Sequence, residues 1–131
     1  MVDHYPGTWS EVGGFGNHYA DLDLLHQIAI DYQKHPAISE TGYSSWTSVG
    51  HDEYNQRDWT TCALPDIRNR VSLFNGQNWQ FRYEFGSWYE LMDPNTNGGG
   101  DIDFHFGILH TDMTRKPAYA AVQSQVGQYG F

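Results

Sequence analysis

Two glutamates stand out by where their charge falls. Glu40 lies within the apolar segment Ala37-Ile38-Ser39-Glu40-Thr41, where an ionised carboxylate is costly unless it is paired or used. Glu84 lies in the stretch 79–87, where Trp79, Phe81, Tyr83 and Phe85 alternate with Gln80, Arg82 and Glu84. If the aromatic set covers the helix side of a sheet, Arg82 and Glu84 face the other side, beside the strand that carries Glu40. Adjacent strands lie about 4.8 Å apart. Carboxyl groups that close push one pKa up, and a neighbouring cation keeps the other ionised. Such a pair would supply one attacking or basic carboxylate and one proton donor. An Arg82–Glu84 ion pair is the other use of the same residues.

Other candidate groups are weaker. Asp93, Asn95, Asn97 and Asp101 offer oxygens at positions 1, 3, 5 and 9 of an EF-hand-type loop, with Gly98 at position 6. Phe104 stands where the bidentate acid belongs, so a solvated surface loop is the simpler reading, and no cofactor is required. The histidines show no paired metal spacing, and the single Cys62 makes neither a disulfide nor a zinc cluster. Net charge is −9, with 16 acids against 7 bases and no basic stripe, which argues against a nucleic-acid partner. Aromatic residues make up 16% of the chain, enough to fill a core and still leave rings that can stack on the flat faces of sugars. A neutral carbohydrate suits this balance better than a polyanion. No apolar run is long enough to cross a membrane.

The elements that must position these residues follow from periodicity. Residues 6–17 are glycine-rich and read as a loop, and Asn17 could cap the helix predicted over 19–34. Leu22, Leu25, Ile28, Ala29 and Tyr32 recur at helical spacing as its apolar face, and His35-Pro36 ends it. Residues 37–41 read as a short buried strand. A helical region is predicted from about Asp52 to Asn75, broken or restarted at Pro65, with Ile67, Val71 and Phe74 on its buried face. The alternating stretch 79–87 is a strand, 94–103 a loop, and 104–110 a short strand or extended segment. The last helix covers 117–127, with Pro117 in its first turn. Strands separated by helices imply parallel pairing.

Three segments then resemble the retaining glycoside hydrolases of the (β/α)8-barrel clan that includes cellulases, β-glucosidases, β-galactosidases and β-xylosidases. Asp3-His4-Tyr5-Pro6-Gly7-Thr8-Trp9 looks like the end of the sixth strand and its loop. Pro36-Ala37-Ile38-Ser39-Glu40-Thr41-Gly42-Tyr43 looks like the seventh strand, which carries the nucleophile at its C-terminal end. Phe106-Gly107-Ile108-Leu109 through Lys116-Pro117-Ala118-Tyr119 looks like the closing segment before the last helix. The resemblance covers nearly the whole chain and implies the last three β/α units. It makes Glu40 the nucleophile of a β-glycoside hydrolase, with Glu84 as the candidate acid. His4, Tyr5, Trp9, Trp46, Arg82 and Trp88 would bind substrate, and Tyr5 could hydrogen-bond Glu40. The clan's acid/base glutamate follows an asparagine on the fourth strand. No Asn-Glu pair occurs in this sequence.

The expected fold is therefore α/β: a single domain over residues 1–131 forming a partial TIM barrel of about three β/α units. A complete barrel needs about 250 residues. Three units leave open strand edges, so a homo-oligomer is expected. The alternatives are a non-catalytic carbohydrate-binding remnant using Trp9, Trp46 and Trp88, or a fragment active only with a missing N-terminal part. The chain opens as if in the middle of a strand and loop, and no export signal is visible.

Overall fold

In a computed structural model, residues 2–4, 18–77, 84–94 and 102–129 are described. Strand β1 (Val2–His4) precedes helix α1 (His18–Tyr32), strand β2 (Ala37–Thr41), helix α2 (Glu53–Gln77), strand β3 (Glu84–Trp88) and helix α3 (Pro117–Tyr129). Single turns of 3-10 helix occupy Thr47–Val49 and Ile102–His105. The three strands form one parallel sheet in the order β1-β2-β3. The alternation of strands and helices makes this a mixed α/β fold, as the sequence predicts.

One apolar cluster joins the helices to the central strand. Leu22 of α1, Ile38 of β2, and Ile67 and Phe74 of α2 are buried together, with Leu25 packed against them. His26 lies flat on Phe74 at 3.9 Å between ring centroids, and burial lowers its pKa against the pull of Asp23. The expected apolar face of α1 is only partly right. Leu22 and Ala29 are buried, but Ile28 and Tyr32 are exposed and line up with exposed Leu24 at i, i+4 and i+8. This helix carries two apolar stripes, and only one of them meets the described core.

Helix α2 departs from expectation in running through Pro65 without a break. Proline at this position removes the N–H that would reach the carbonyl of Thr61. Thr61 is exposed, so water can take that carbonyl. The start of the helix is well capped. Asn55 N–H donates to the Asp52 carboxylate at 2.7 Å, and Asp52 N–H donates back to Asn55 Oδ1 at 3.1 Å. The extended segment expected at 104–110 begins as the 3-10 turn, and only Leu109 makes bridges, parallel to Met92 and antiparallel to Arg115.

Strand β2 contains the feature that matters most for the site. Ile38 and Glu40 are two residues apart, so a regular strand would turn both toward the helices. The pairing with β1 shifts by one residue at this point: Val2 lies opposite Ile38, but Asp3 lies opposite Glu40. Ser39 is thus the extra residue of a bulge, and a bulge resets the alternation. Burial follows suit. Ile38 and Thr41 are fully buried, whereas Ala37, Ser39 and Glu40 are half-buried. Glu40 thus escapes the full burial of Ile38, although it lies two residues further along the strand. On the other flank the register runs without a shift, with Ile38 opposite Phe85 and Glu40 opposite Ser87.

Because Ile38 anchors the helix side of this central strand, Ile38→Ala should cost about 2–5 kcal/mol. Urea denaturation should show a lower midpoint with little change in slope.

Candidate active site

The C-terminal end of the sheet is a junction of four chain segments. Residues 42–46 follow β2, residues 89–94 follow β3, and residues 102–110 and the approach to α3 close over them. Backbone hydrogen bonds join these segments. Tyr89 N–H donates to Thr41 O at 2.8 Å, and Ser45 N–H donates to His105 O at 2.9 Å. Leu109 N–H reaches Leu91 O at 3.0 Å, Asp93 N–H reaches Leu109 O at 3.0 Å, and Lys116 N–H reaches Ile108 O at 3.0 Å. Gly42 is required by closeness: a Cβ there would overlap the carbonyl of Tyr89. From α2, the buried Gln56 amide donates to the carbonyls of Tyr43, Phe106 and Gly107 at 2.8, 3.2 and 3.1 Å.

A buried ion pair lies within this junction. Lys116 is 2% exposed, and its Nζ is 2.6 Å from Asp93 Oδ2 and 3.1 Å from Ser45 Oγ. Asp93 Oδ1 accepts the Gly107 N–H at 2.8 Å, and Ser45 Oγ donates to His105 O at 3.1 Å. Both carboxylate oxygens of Asp93 are therefore engaged. Asn95, Asn97 and Asp101 lie outside the described residues. Among the described residues no group of three or more His, Cys, Asp or Glu could hold a metal ion.

Glu90 adds a second carboxyl group to the same cation. Its Oε1 is buried and has no hydrogen-bond partner among the described residues. Burial raises its pKa, Asp93 and Asp103 raise it further, and Lys116 opposes them. Tyr89 is pushed the same way, by burial first and then by Glu90, Asp103 and Glu40.

Of the residues singled out from the sequence, Glu40 stands near the C-terminal end of β2 and is half-buried. Trp88 ends β3 opposite Thr41, is half-buried, and packs on Trp59 at 5.5 Å. Trp46 is half-buried and lies parallel to His105 at 6.1 Å. His105 has its pKa lowered by burial and by Lys116, against the pull of Asp93. His4 is opposite Thr41 in the β1–β2 register. Tyr5, Trp9 and Arg82 lie outside the described residues.

Glu84 is displaced from its expected place. It pairs with Ala37 at the start of β2, while Glu40 pairs with Ser87. Three residues of strand, roughly 10 Å, separate those two levels. The alternation of residues 79–87 conveys a strand but not its register, and the register sets Glu84 at the wrong end. Glu90, Ser45 and Gln56 carry no signal in the sequence, because contacts with segments distant in the chain set their roles. Asp93 was visible only as a loop oxygen, and Lys116 only within the closing segment that resembles a known family.

No protein-family model matches this sequence, and no curated protein matches it. Solved structures do. The β-glucuronidase of Faecalibacterium prausnitzii is similar to 99% of this chain over 22% of its own, at a TM-score of 0.54 and 18% identity. A family 39 glycoside hydrolase from the gut symbiont Bacteroides cellulosilyticus is similar to 82% of the chain over 21% of its own, at a TM-score of 0.46 and 21% identity. Bifidobacterium dentium β-glucuronidase, complexed with coumarin-3-O-glucuronide, is similar to 96% over 20%, at 0.47 and 19%. The chain spans about a fifth of the length of these proteins. The first likeness establishes a shared fold.

Two variants test the junction. Lys116→Met strands Asp93 without its cation and should cost about 3–5 kcal/mol, read as a fall in the unfolding free energy. Glu90→Gln should act in the opposite sense near neutral pH. A raised carboxyl pKa contributes stability that is complete below the ordinary glutamate value and lost as pH climbs through the raised one. The melting temperature of the native protein should fall across that window. The glutamine variant should lack this part of the decline and melt higher than the native protein at pH 7.

Proposed function

We propose that this chain is the nucleophile-bearing part of a (β/α)8 retaining glycoside hydrolase acting on β-glycosides, with Glu40 as the nucleophile. The observation that carries the reading is the bulge at Ser39. It interrupts the alternation that buries Ile38 and leaves Glu40 half-buried near the C-terminal end of a parallel sheet, the end at which barrel enzymes keep their chemistry. Trp88 and Trp46 stand at the same end as candidate sugar platforms. In the proposed reaction a Glu40 oxygen attacks the anomeric carbon as the bond to the leaving oxygen breaks. Water then displaces the glycosyl group from Glu40. The leaving oxygen needs a proton from a second carboxyl group about 5–5.5 Å from the first.

The register of Glu84 removes it from that second role in this proposal, and we assign the role to a part of the barrel beyond these three units. Two observations support a sheet that continues. β1 pairs only with β2 among the described strands, and the outer stripe Leu24, Ile28 and Tyr32 lies on the helix that follows β1. Asp23, Gln27 and Asp31 share the exposed side of that helix, so pairing α1 with a second copy would set acid against acid. Further β/α units are favoured over self-association. The second reading is a non-catalytic carbohydrate binder. It draws on the half-buried Trp46 and Trp88 and requires no second acid.

The test is a 2-fluoro-glycoside with a dinitrophenyl leaving group, which departs without a proton donor. Intact-protein mass spectrometry should show one glycosyl addition, mapped to Glu40 and absent in Glu40→Gln. Sugar binding with no addition would select the binding reading. Neither binding nor addition would end both.

A further inference from the structure

Helix α1 meets the described core with one face. Leu22, His26 and Ala29 are buried there at helical spacing, with Leu25 packed beside them, while Leu24, Ile28 and Tyr32 on the outer side are exposed. His26 is the titratable member of the inner face and stands at its middle, one turn after Leu22 and just under one turn before Ala29. Its ring lies on Phe74 of α2, 3.9 Å between centroids and 7° from parallel. A flat, uncharged imidazole suits that place. An imidazolium does not, because docking there strips it of most of its water. The Phe74 face returns part of that loss to a cation. Asp23, three residues earlier on α1, pulls the same way, but it is exposed and solvated. Among the described residues Asp23 is the charged group that acts on His26; α2 sets the Phe74 ring against it, and the other members of the cluster, Ile67 from α2 and Ile38 from β2, are apolar. Burial outweighs Asp23 and holds the histidine below its ordinary pKa.

We propose that the contact between α1 and α2 is an acid-sensitive latch: protonation of His26 loosens α1 from Phe74 and opens the apolar cluster beneath it, while α3 stays in place. The direction follows from linkage. A detached imidazole titrates near about 6.5 and the docked one lower, so the docked helix is fully favoured above that value and loses stability as pH falls from it through the lowered one. Glu90 has the opposite sign, since acid favours the form that burial already favours there. Acid therefore firms the C-terminal junction as it loosens α1, and the two effects separate by segment. The latch is independent of the glycoside reading and of Glu40.

Hydrogen exchange of the full chain reads the latch, followed by mass spectrometry at about pH 7 and about pH 5 and corrected for the chemical pH dependence of exchange. Amides of α1 should lose protection several-fold at the lower pH, and those of α3 should not. His26→Gln has no charge to gain and should abolish the pH dependence in α1. Asp23→Asn removes the pull on the imidazolium and should deepen it, which keeps the test decisive if His26→Gln does not fold. Equal losses in α1 and α3 would overturn the proposal, as would a loss in α1 that persists in His26→Gln or that Asp23→Asn lessens.

Discussion

A strand can offer only alternate side chains to one face, and β2 has two demands of the same parity. Ile38 must enter the cluster formed by α1 and α2, or the central strand has nothing to hold it. Glu40, two residues on, must avoid that cluster, because an ionised carboxylate among Leu22, Ile67 and Phe74 has no compensation there. The extra residue at Ser39 resolves the conflict. It lets a strand of five residues bury its second and fifth side chains and release its fourth. Every other feature of the sheet's C-terminal end takes its position from that reset. Thr41 is turned inward, its carbonyl takes the Tyr89 N–H, and the segment after β3 is thereby laid alongside β2.

The loops at that end have little apolar surface with which to pack, and polar groups do the joining. Asp93 and Lys116 form a pair with good geometry, and each has a further hydrogen bond, to Gly107 N–H and Ser45 Oγ respectively. A buried pair of this kind adds little net stability over an apolar substitute, but half of one is severely destabilising. Its value lies in register. Lys116 precedes α3, Asp93 follows β3 and Ser45 follows β2, so one ammonium group indexes three segments to one another. Glu90 is the cost of the arrangement. Burial first, and then Asp93 already on the single cation, drive the second carboxyl group toward its protonated form. The junction that fixes the loops thereby depends on pH.

Much of the scaffold was legible because it is periodic. Helix α1, strand β2, helix α2 and helix α3 follow from repeating apolar positions and from the prolines at 36 and 117. What periodicity cannot convey is which stripe is covered and where a strand begins its pairing. Helix α1 has apolar residues on two faces, and only packing chooses between them. The stretch 79–87 alternates over its whole length, but its pairing with β2 starts at Glu84, and that offset moved a presumed catalytic partner to the opposite end of the sheet. Proline in α2 looked like a break because propensity is local, whereas the helix is held by Trp59, Leu64, Ile67 and Phe74 on both sides of it. Asp93 reads as one oxygen of a solvated surface loop because loop spacing is visible in a sequence, and a partner 23 residues away is not.

Three of the exposed apolar residues fall in a line. Leu24, Ile28 and Tyr32 lie on the helix that follows β1, at the edge of the described sheet, whereas Tyr54, Leu91, Met92, Met113 and Val126 are spread over α2, the loops and α3. Single exposed apolar side chains need no explanation, but a stripe three residues long on one helix, beside an edge strand, does. A parallel sheet is stable when both faces and both edges are covered, because its strands are apolar throughout and its edges offer unpaired N–H and C=O groups. Within the described residues Ile38 and Thr41 of β2 are buried, whereas Ala37, Ser39 and Glu40 are only half-buried. The described helices thus leave part of the sheet uncovered, and a barrel that closed around it would supply the missing cover while staying open only at its C-terminal rim.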